Sequence, residues 1–220
     1  VTYSELVTAV QDYLETTFTT ADINTMIRQA EQRIYNTVQI ANLRKNVIGV
    51  FVSGQKYLTC PEDLLSIYSF AVIKANGDYL YLLNKDVNFI REAYPAPSAT
   101  GLPKHYAIFG PKVNGGIIDP NELSIIVGPT PNSNYQTELH YYYYPESIVT
   151  STVSWLGDHF DSALLNATIY EGSTFLKLEP DLMALAKDRY VQSIALLKNL
   201  GDGKQRADAY RDGQVRVAVA

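Results

Sequence analysis

A metal centre needs histidine, cysteine or carboxylate side chains that converge at ligand spacing. The 220-residue chain offers one cysteine, Cys60, and three widely spaced histidines, His105, His140 and His159. The only local candidate is Asp158-His159-Phe160-Asp161. Aspartates around a histidine at a helix start read better as a charged, capped N-terminus, where carboxylates meet free backbone N–H groups. Gly49, Gly54, Gly115 and Gly116 build no phosphate loop, because no Gly-Lys-Ser/Thr follows any of them. Gly201-Asp202-Gly203 follows a helical pattern, whereas a dinucleotide fingerprint must open one. There is no Gly-x-Ser-x-Gly elbow to expose a nucleophilic serine. These absences assign no catalytic, cofactor-binding or metal-binding residue and no cofactor, and the chain is expected not to be an enzyme.

Two segments have the chemistry of contacts instead. In the run Tyr141–Tyr144, strand alternation would turn Tyr141 and Tyr143 to one face and Tyr142 and Tyr144 to the other. One reading makes a pair a stacking platform for a sugar or base. The other, which the residues favour, makes one pair core and the other a subunit interface, since aromatic pairs stabilise sheets and no basic residues accompany the run. Near the C-terminus Arg206, Arg211 and Arg216 recur every five residues, and Val215, Val217 and Val219 alternate. The bland reading is an unanchored end. The functional one is an arm that orders on a neighbour through bidentate arginines and a strand-like valine edge, with a reach of at most about 33–36 Å over ten residues.

Composition agrees with contacts more than chemistry. Seventeen tyrosines stand against seven phenylalanines and one tryptophan. Tyrosine suits surfaces where one end of the ring is buried and the other is wet, although strands also favour it. The net charge of −5 is not the basic footprint of a protein that grips phosphates. No apolar run approaches the roughly 18–20 residues of a membrane span. The polar, capped start predicts no signal peptide, and Val1 at the first position predicts a lost initiator methionine. A chain of this length buries roughly 70% of its unfolded surface, so it needs no disulfide or metal staple. The lone cysteine suits a reducing cytoplasm.

The elements that must position these residues follow from periodicity. Tyr3, Leu6, Val7, Val10, Tyr13 and Leu14 share a helical face over Thr2–Glu15, with Thr2 and Glu5 spaced as a capping box. Ile23, Met26, Ile27, Ala30, Ile34 and Val38 define a second helix from about Ala21 to Val38, interrupted by polar Arg28, Gln29, Glu31, Gln32 and Arg33. The short connection predicts that the two pack antiparallel. The period then changes to two. Asn46–Val52 and Gln55–Thr59 are predicted strands around a Ser53-Gly54 turn; Leu65–Lys74 and Asp78–Leu83 flank Asn76-Gly77, the strongest hairpin signal. Val87–Tyr94 reads as a short helix ended by Pro95 and Pro97. Lys104–Phe109, Leu123–Val127 and Tyr135–Tyr144 read as strands, with Gly110–Pro120 and Gly128–Asn134 as loop and turn. Trp155–Leu178 is one predicted helix. Pro180 opens the next, which Gly201 and Gly203 end, and a short helix Lys204–Tyr210 follows. No internal repeat is visible. The expected fold is α+β: an antiparallel helical bundle from 1–44 and 148–206, an inserted antiparallel β subdomain over 45–147, and an extended C-terminal arm, 207–220.

In order along the chain, TYSELVTAVQDYLE, IRQAEQRIYNTV, GQKYLTCPEDLLSIYSF, ATGLPKHYAIFG, VGPTPNSNYQTELHYYYYPESI and LKNLGDGKQRADAYRDGQVR resemble the head-to-tail adaptor family of short-tailed and related phages, the tail tubular protein A-like adaptors. The likeness covers nearly the whole chain, and the turns GLP (Gly101–Pro103) and GPTP (Gly128–Pro131) are its most characteristic pieces. It implies a homo-oligomeric ring, typically of twelve copies, under the portal protein. A C-terminal arm, here Arg206, Tyr210, Arg211, Arg216 and Val217, would dock onto the portal. The other side would receive nozzle (tail tubular protein B-like) or tail fibre proteins. Asn114, Asn132, Tyr142 and Tyr144 become candidates for the tail or subunit interface, the two asparagines within the β-region loops Gly110–Gly116 and Gly128–Asn134 and the two tyrosines in the tyrosine run. Genomic DNA would pass through the channel without specific binding, and an acidic chain suits that role because it repels phosphate. No membrane is implied, and the site would be the virion neck, assembled in the host cytoplasm. The competing readings are another head–tail connector (a head-completion or tail-terminator protein) and, from a different class, a carbohydrate-binding tail module.

Overall fold

A computed structural model describes residues 1–38, 40–96, 98–114 and 117–205. In chain order these form α1 (Tyr3–Leu14), α2 (Thr20–Thr37), a 3-10 turn (Ala41–Leu43), β1 (Arg44–Phe51), β2 (Tyr57–Thr59), β3 (Ser66–Ile73), β4 (Tyr79–Tyr81), β5 (Leu83–Asn84) and α3 (Val87–Ala93). There follow β6 (Thr100–Gly101), β7 (His105–Asn114), β8 (Ile117–Gly128), β9 (Thr130–Pro131), β10 (Tyr135–Tyr142), α4 (Ile148–Ser151), α5 (Trp155–His159), α6 (Asp161–Leu176) and α7 (Pro180–Gln205). They divide into two compact units: Arg44–Tyr143, and Val1–Leu43 together with the chain from Tyr144 onward.

The helical unit gathers around α6. That helix is lined by small residues, with Ala163, Ala167, Gly172 and Ser173 buried, so neighbours approach closely. A Cβ on Gly172 would stand 2.5 Å from Leu14 Cδ1 of α1. α1, α2 and α7 all pack against α6. α1 carries the expected capping box: the Thr2 N–H donates to Glu5 Oε2 at 2.8 Å, and the Glu5 N–H donates to the Thr2 hydroxyl. α2 buries Ile23, Met26, Ile27, Ala30, Ile34 and Tyr35, and also Glu31. Burial raises the Glu31 carboxyl above its ordinary range, and its Oε1 accepts the Ile148 N–H at 2.9 Å. A residue read as a polar interruption thus satisfies a free donor at the start of α4. Arg33 donates to Glu171 of α6 at 2.5 Å and lies over the Tyr170 ring, which stacks on Tyr190 of α7 at 5.8 Å.

The β unit has three layers. An outer sheet has strand order β1-β10-β3-β4 and an inner sheet β2-β8-β7-β5. Between them lies a core of Phe51, Phe70, Val72, Leu82, Tyr106, Ile125, Val127, Leu139 and Tyr141, with Cys60 and Leu64 beside it. On the far side of the inner sheet, Ile90 of α3 packs on Ala107 and Ile126. Ile125, Ile126 and Val127 are therefore all buried, as a strand covered on both faces requires.

The expected fold class needs correction. The α+β description holds only broadly, and a helical bundle with an inserted antiparallel β subdomain is not what forms. There are three sheets, two of whose pairings, β5–β7 and β6–β9, are parallel, and α3 supplies a layer of its own. α1 and α2 both lie against α6, and the Tyr3 hydroxyl of α1 donates to Asn24 of α2 at 2.6 Å. Residues 110–114 and 117–120 are strand and not loop: β7 and β8 continue over them as a ribbon, with Lys112 opposite Asp119 and Asn114 opposite Ile117, and bulges near Gly110 and Pro111 absorb the irregular residues. Ser53-Gly54 does turn the chain, but β1 and β2 enter different sheets, because the Ser53 and Gly54 N–H groups bond to Asn134 and Pro131. Asn76-Gly77 joins β3 and β4 as expected, Gly77 at φ +88°. The single helix expected over Trp155–Leu178 breaks at Phe160, between α5 and α6. α7 starts at Pro180 as expected but runs through Gly201 and Gly203. The expected arm lies outside the described residues, as does Arg206 onward of the expected terminal helix.

Candidate protein interface

Among the described residues of the β unit, the inner sheet is covered on both sides and the outer sheet on one. Strand register places its outward residues in rows. Ile48, Glu138, Ala71 and Tyr81 run across β1, β10, β3 and β4; Val50, Gln136, Ile73 and Tyr79 form the next row. Ile48 is 60% and Tyr81 63% exposed, and Val50 and Tyr79 are also exposed. Two β-branched residues and two tyrosines standing in solvent on one sheet face form the kind of patch that marks a protein contact. β1 is also an edge strand, so along eight residues its backbone can accept a further strand.

The face is rigid. Glu138 accepts from Asn46 Nδ2 at 3.0 Å and from the Tyr79 hydroxyl at 2.9 Å, which ties β1, β10 and β4 together. The Glu138 hydrogen bond raises the Tyr79 phenol above its ordinary value. Tyr79 and Tyr81 rings stack at 6.5 Å. At the other end the bulge between His140 and Tyr141 gives room for Tyr68, whose ring meets His140 at 5.1 Å and Tyr142 at 5.8 Å edge-on, with the Arg44 guanidinium 4.6 Å away. Burial, then the Arg44 charge, lowers the His140 pKa below its ordinary value.

At the same end of the sheet, Asp63 accepts from Lys45 at 2.6 Å and from the Tyr141 hydroxyl at 2.8 Å, while Lys45 lies 4.1 Å from the Tyr143 ring centre. Burial pushes the Tyr141 phenol up to about 12, with the Asp63 bond adding to it. Burial alone would raise Asp63, but the Lys45 and Tyr141 hydrogen bonds outweigh it and hold the carboxyl below its ordinary value. A carboxyl held low stabilises above its unfolded pKa and loses that contribution as pH falls through the folded one. Asp63→Asn is therefore expected to flatten the acid limb of the thermal stability profile below about pH 4. Melting scans across that range check it, and an unchanged acid limb would show that the network adds nothing.

The other residues singled out from sequence do not converge. Tyr142 lies half-buried on the outer-sheet face. Tyr141 and Tyr143 both pack toward the core, as the favoured reading of the tyrosine run held for one pair. Tyr144 belongs to the helical unit, where its ring stacks on Tyr35 at 6.1 Å and its hydroxyl donates to Asn36 at 2.7 Å. Asn132 is exposed and accepts from the Tyr135 hydroxyl at 2.6 Å. Asn114 ends β7 opposite Ile117. Arg206, Tyr210, Arg211, Arg216 and Val217 lie outside the described residues. The histidines are held in aromatic contacts: His105 by Tyr94 and Phe89, His140 by Tyr68, His159 by Trp155. Asp161 accepts the Ser162 N–H at 2.7 Å at the start of α6. Among the described residues, no three His, Cys, Asp or Glu side chains gather to hold a metal, and no helix is long and apolar enough to cross a membrane.

Sequence reasoning missed Ile48, Val50, Tyr68, Tyr79, Tyr81 and Glu138. The available signal was alternation on β1, where Ile48 and Val50 share a parity with polar Arg44 and Asn46. It also missed that the two characteristic turns meet: Thr100 pairs with Thr130 and Gly101 with Pro131, so GLP and GPTP together build the β6–β9 pair. A family model described as SU10 adaptor protein matches residues 1–218. No curated protein matches the chain.

Proposed function

The chain belongs to the SU10 adaptor protein family and is thus a phage adaptor and virion structural protein; from that premise we propose that it assembles as a ring between portal and tail, lets DNA pass and catalyses nothing. The observation that carries this reading is the uncovered outer-sheet face, with its exposed Ile48, Val50, Tyr79 and Tyr81 beside the free edge of β1. Such a surface serves mating, and its aromatics are fixed in advance, which limits the entropy lost on docking. It receives a tail-side protein, and Tyr142 lies on the same face. Asn114 and Asn132 are further candidates at loops and ribbon ends. Twelve copies, matching a dodecameric portal, is the proposed ring size.

The segment containing Arg206, Tyr210, Arg211, Arg216 and Val217 is proposed as the portal-binding arm. Arginine offers bidentate pairing to carboxylates, and alternate valines suit strand addition. The acidic balance supports passage of DNA without retention, since a negative lining repels phosphate. Deleting residues 207–220 is expected to leave the melting temperature unchanged while co-sedimentation with purified portal is lost. Normal co-sedimentation of the truncated protein would remove the arm from the proposal.

A further inference from the structure

The two four-stranded sheets have unequal edges. β1 has eight residues, whereas β2 and β4 have three each and β5 has two. Long edges are ordinarily blunted by charge, proline or a bulge, which stop a foreign strand from pairing. Val47–Val50 carries neither a charge nor a proline. The β1–β10 register runs unbroken through all eight residues, while the β10–β3 and β7–β8 pairings both shift. Apolar side chains stand in solvent on both faces of this edge. Ile48 and Val50 point outward and are exposed; Val47 lies opposite Leu139 of the core, yet it is 38% exposed. The β unit is therefore not sealed along β1.

The same strand opens with two cations in different states. Lys45 is paired with Asp63 at 2.6 Å. Arg44, opposite Tyr142 on the outward face, forms no ion pair among the described residues. Its guanidinium lies over the Tyr68 ring, 4.6 Å from the centre. Tyr68 is the extra residue of a bulge, because the register passes from Ile67 opposite Tyr141 to Ser69 opposite His140. Its ring is held edge-on against both His140 and Tyr142. A guanidinium stacked on a fixed ring keeps its N–H fork available and pre-oriented for a carboxylate. Midway along the face, Glu138 is already engaged by Asn46 and Tyr79. The charge that this surface asks of a partner is negative, and its place is at Arg44.

We infer that β1 takes a further antiparallel strand from a tail-side protein: an extended segment with apolar side chains opposite Val50, Ile48 and Val47 and a carboxylate opposite Arg44. The contact rests on the reading of this face as a tail-side surface and names the chemistry of its partner. Val50, Ile48, Asn46 and Arg44 share one face of β1, so the partner residues opposite them share a face too. In an antiparallel neighbour the apolar positions come first in sequence and the acid last. Main-chain hydrogen bonds supply affinity, and the alternating side chains select the segment.

The test uses the full chain and fluorescently labelled synthetic peptides with blocked ends. The first reads valine-threonine-isoleucine-valine-threonine-threonine-aspartate; the others end in asparagine or lysine. Fluorescence anisotropy is expected to show the aspartate peptide binding at least tenfold more tightly than the asparagine peptide. Arg44→Gln should abolish that discrimination, and Arg44→Glu should reverse it in favour of the lysine peptide. Tyr68→Ala, which acts through Arg44, should shrink the aspartate-to-asparagine ratio severalfold and leave the asparagine peptide's affinity unchanged, a split that general damage to the sheet would not produce. Far-UV circular dichroism confirms that the variants fold. No binding of the aspartate peptide up to about 1 mM, equal binding of the aspartate and asparagine peptides, or wild-type preference in the Arg44 variants would overturn the proposal. Hydrogen exchange in the assembled neck separates the two levels. Protection of β4 with β1 unchanged would overturn strand addition and leave the face as a contact surface, whereas protection of neither would overturn both.

Discussion

Phe70→Ala is expected to lower the stability of the β unit by about 3–5 kcal/mol, the range for removing a fully buried aromatic ring. Phe70 lies on β3 of the outer sheet. Its ring meets Phe51 of β1 at 5.5 Å and Tyr106 of β7, on the inner sheet, at 5.5 Å, both edge-on. One side chain therefore joins the two strands that flank β10 in one sheet and also the two sheets, and alanine would leave a cavity among residues held by strand pairing on both sides. The loss corresponds to a melting transition lower by roughly 15–25 °C for a unit of this size. Urea unfolding followed by circular dichroism measures it. A loss below about 1 kcal/mol would show that the two sheets are not held together through Phe70.

The second large effect is expected from a smaller change. Gly128→Ala adds one methyl group at the end of β8, where α3 crosses. A Cβ there would lie 2.4 Å from Tyr94 Cδ2 and 3.0 Å from Ile90 Cγ2, so the ring or the helix must move. Tyr94 cannot move cheaply, because its hydroxyl is paired with His105 Nδ1 at 3.0 Å. A loss of about 1–3 kcal/mol follows from overpacking. At an unobstructed site the same substitution stabilises by about 0.4–1 kcal/mol, by restricting the unfolded chain. The sign therefore decides: stabilisation would mean that α3 does not pack on Gly128. In the Tyr94→Ala background the penalty should shrink, since the obstructing ring is gone.

Gly128 also shows what the sequence conceals. GPTP is visible as a turn because Gly and Pro break strands. That the same four residues accept α3 on one side and pair with GLP on the other depends on contacts distant in sequence, which no local pattern carries. Local signals served well where structure is local: the Thr2–Glu5 capping box, the Asn76-Gly77 turn, Pro180 at the start of α7. They misled where tertiary packing overrides propensity. Gly201 and Gly203 read as helix terminators, yet α7 continues through them. Gly110, Pro111 and Pro120 read as loop, yet the β7–β8 ribbon includes them and accommodates Gly110 at φ +124° through a bulge. Glu31 read as a polar interruption of the buried stripe, although the Ile148 N–H donates to it and it is buried. Of the candidate interface only Tyr142 was legible. Ile48, Tyr79 and Tyr81 become a surface only when register aligns them across four strands, and only because α3 covers the inner sheet while nothing described covers the outer face.

That uncovered face is the centre of the account, and hydrogen–deuterium exchange tests it most directly. Exchange is compared between the free chain and the protein in the assembled neck. Amides of β1 and β4 are expected to slow on assembly, as the open edge of β1 and the Ile48–Tyr81 row become covered, while β8 amides near Ile125–Val127, already buried in the free chain, stay unchanged. Exchange in β1 and β4 that is equally fast in the assembled neck would contradict it.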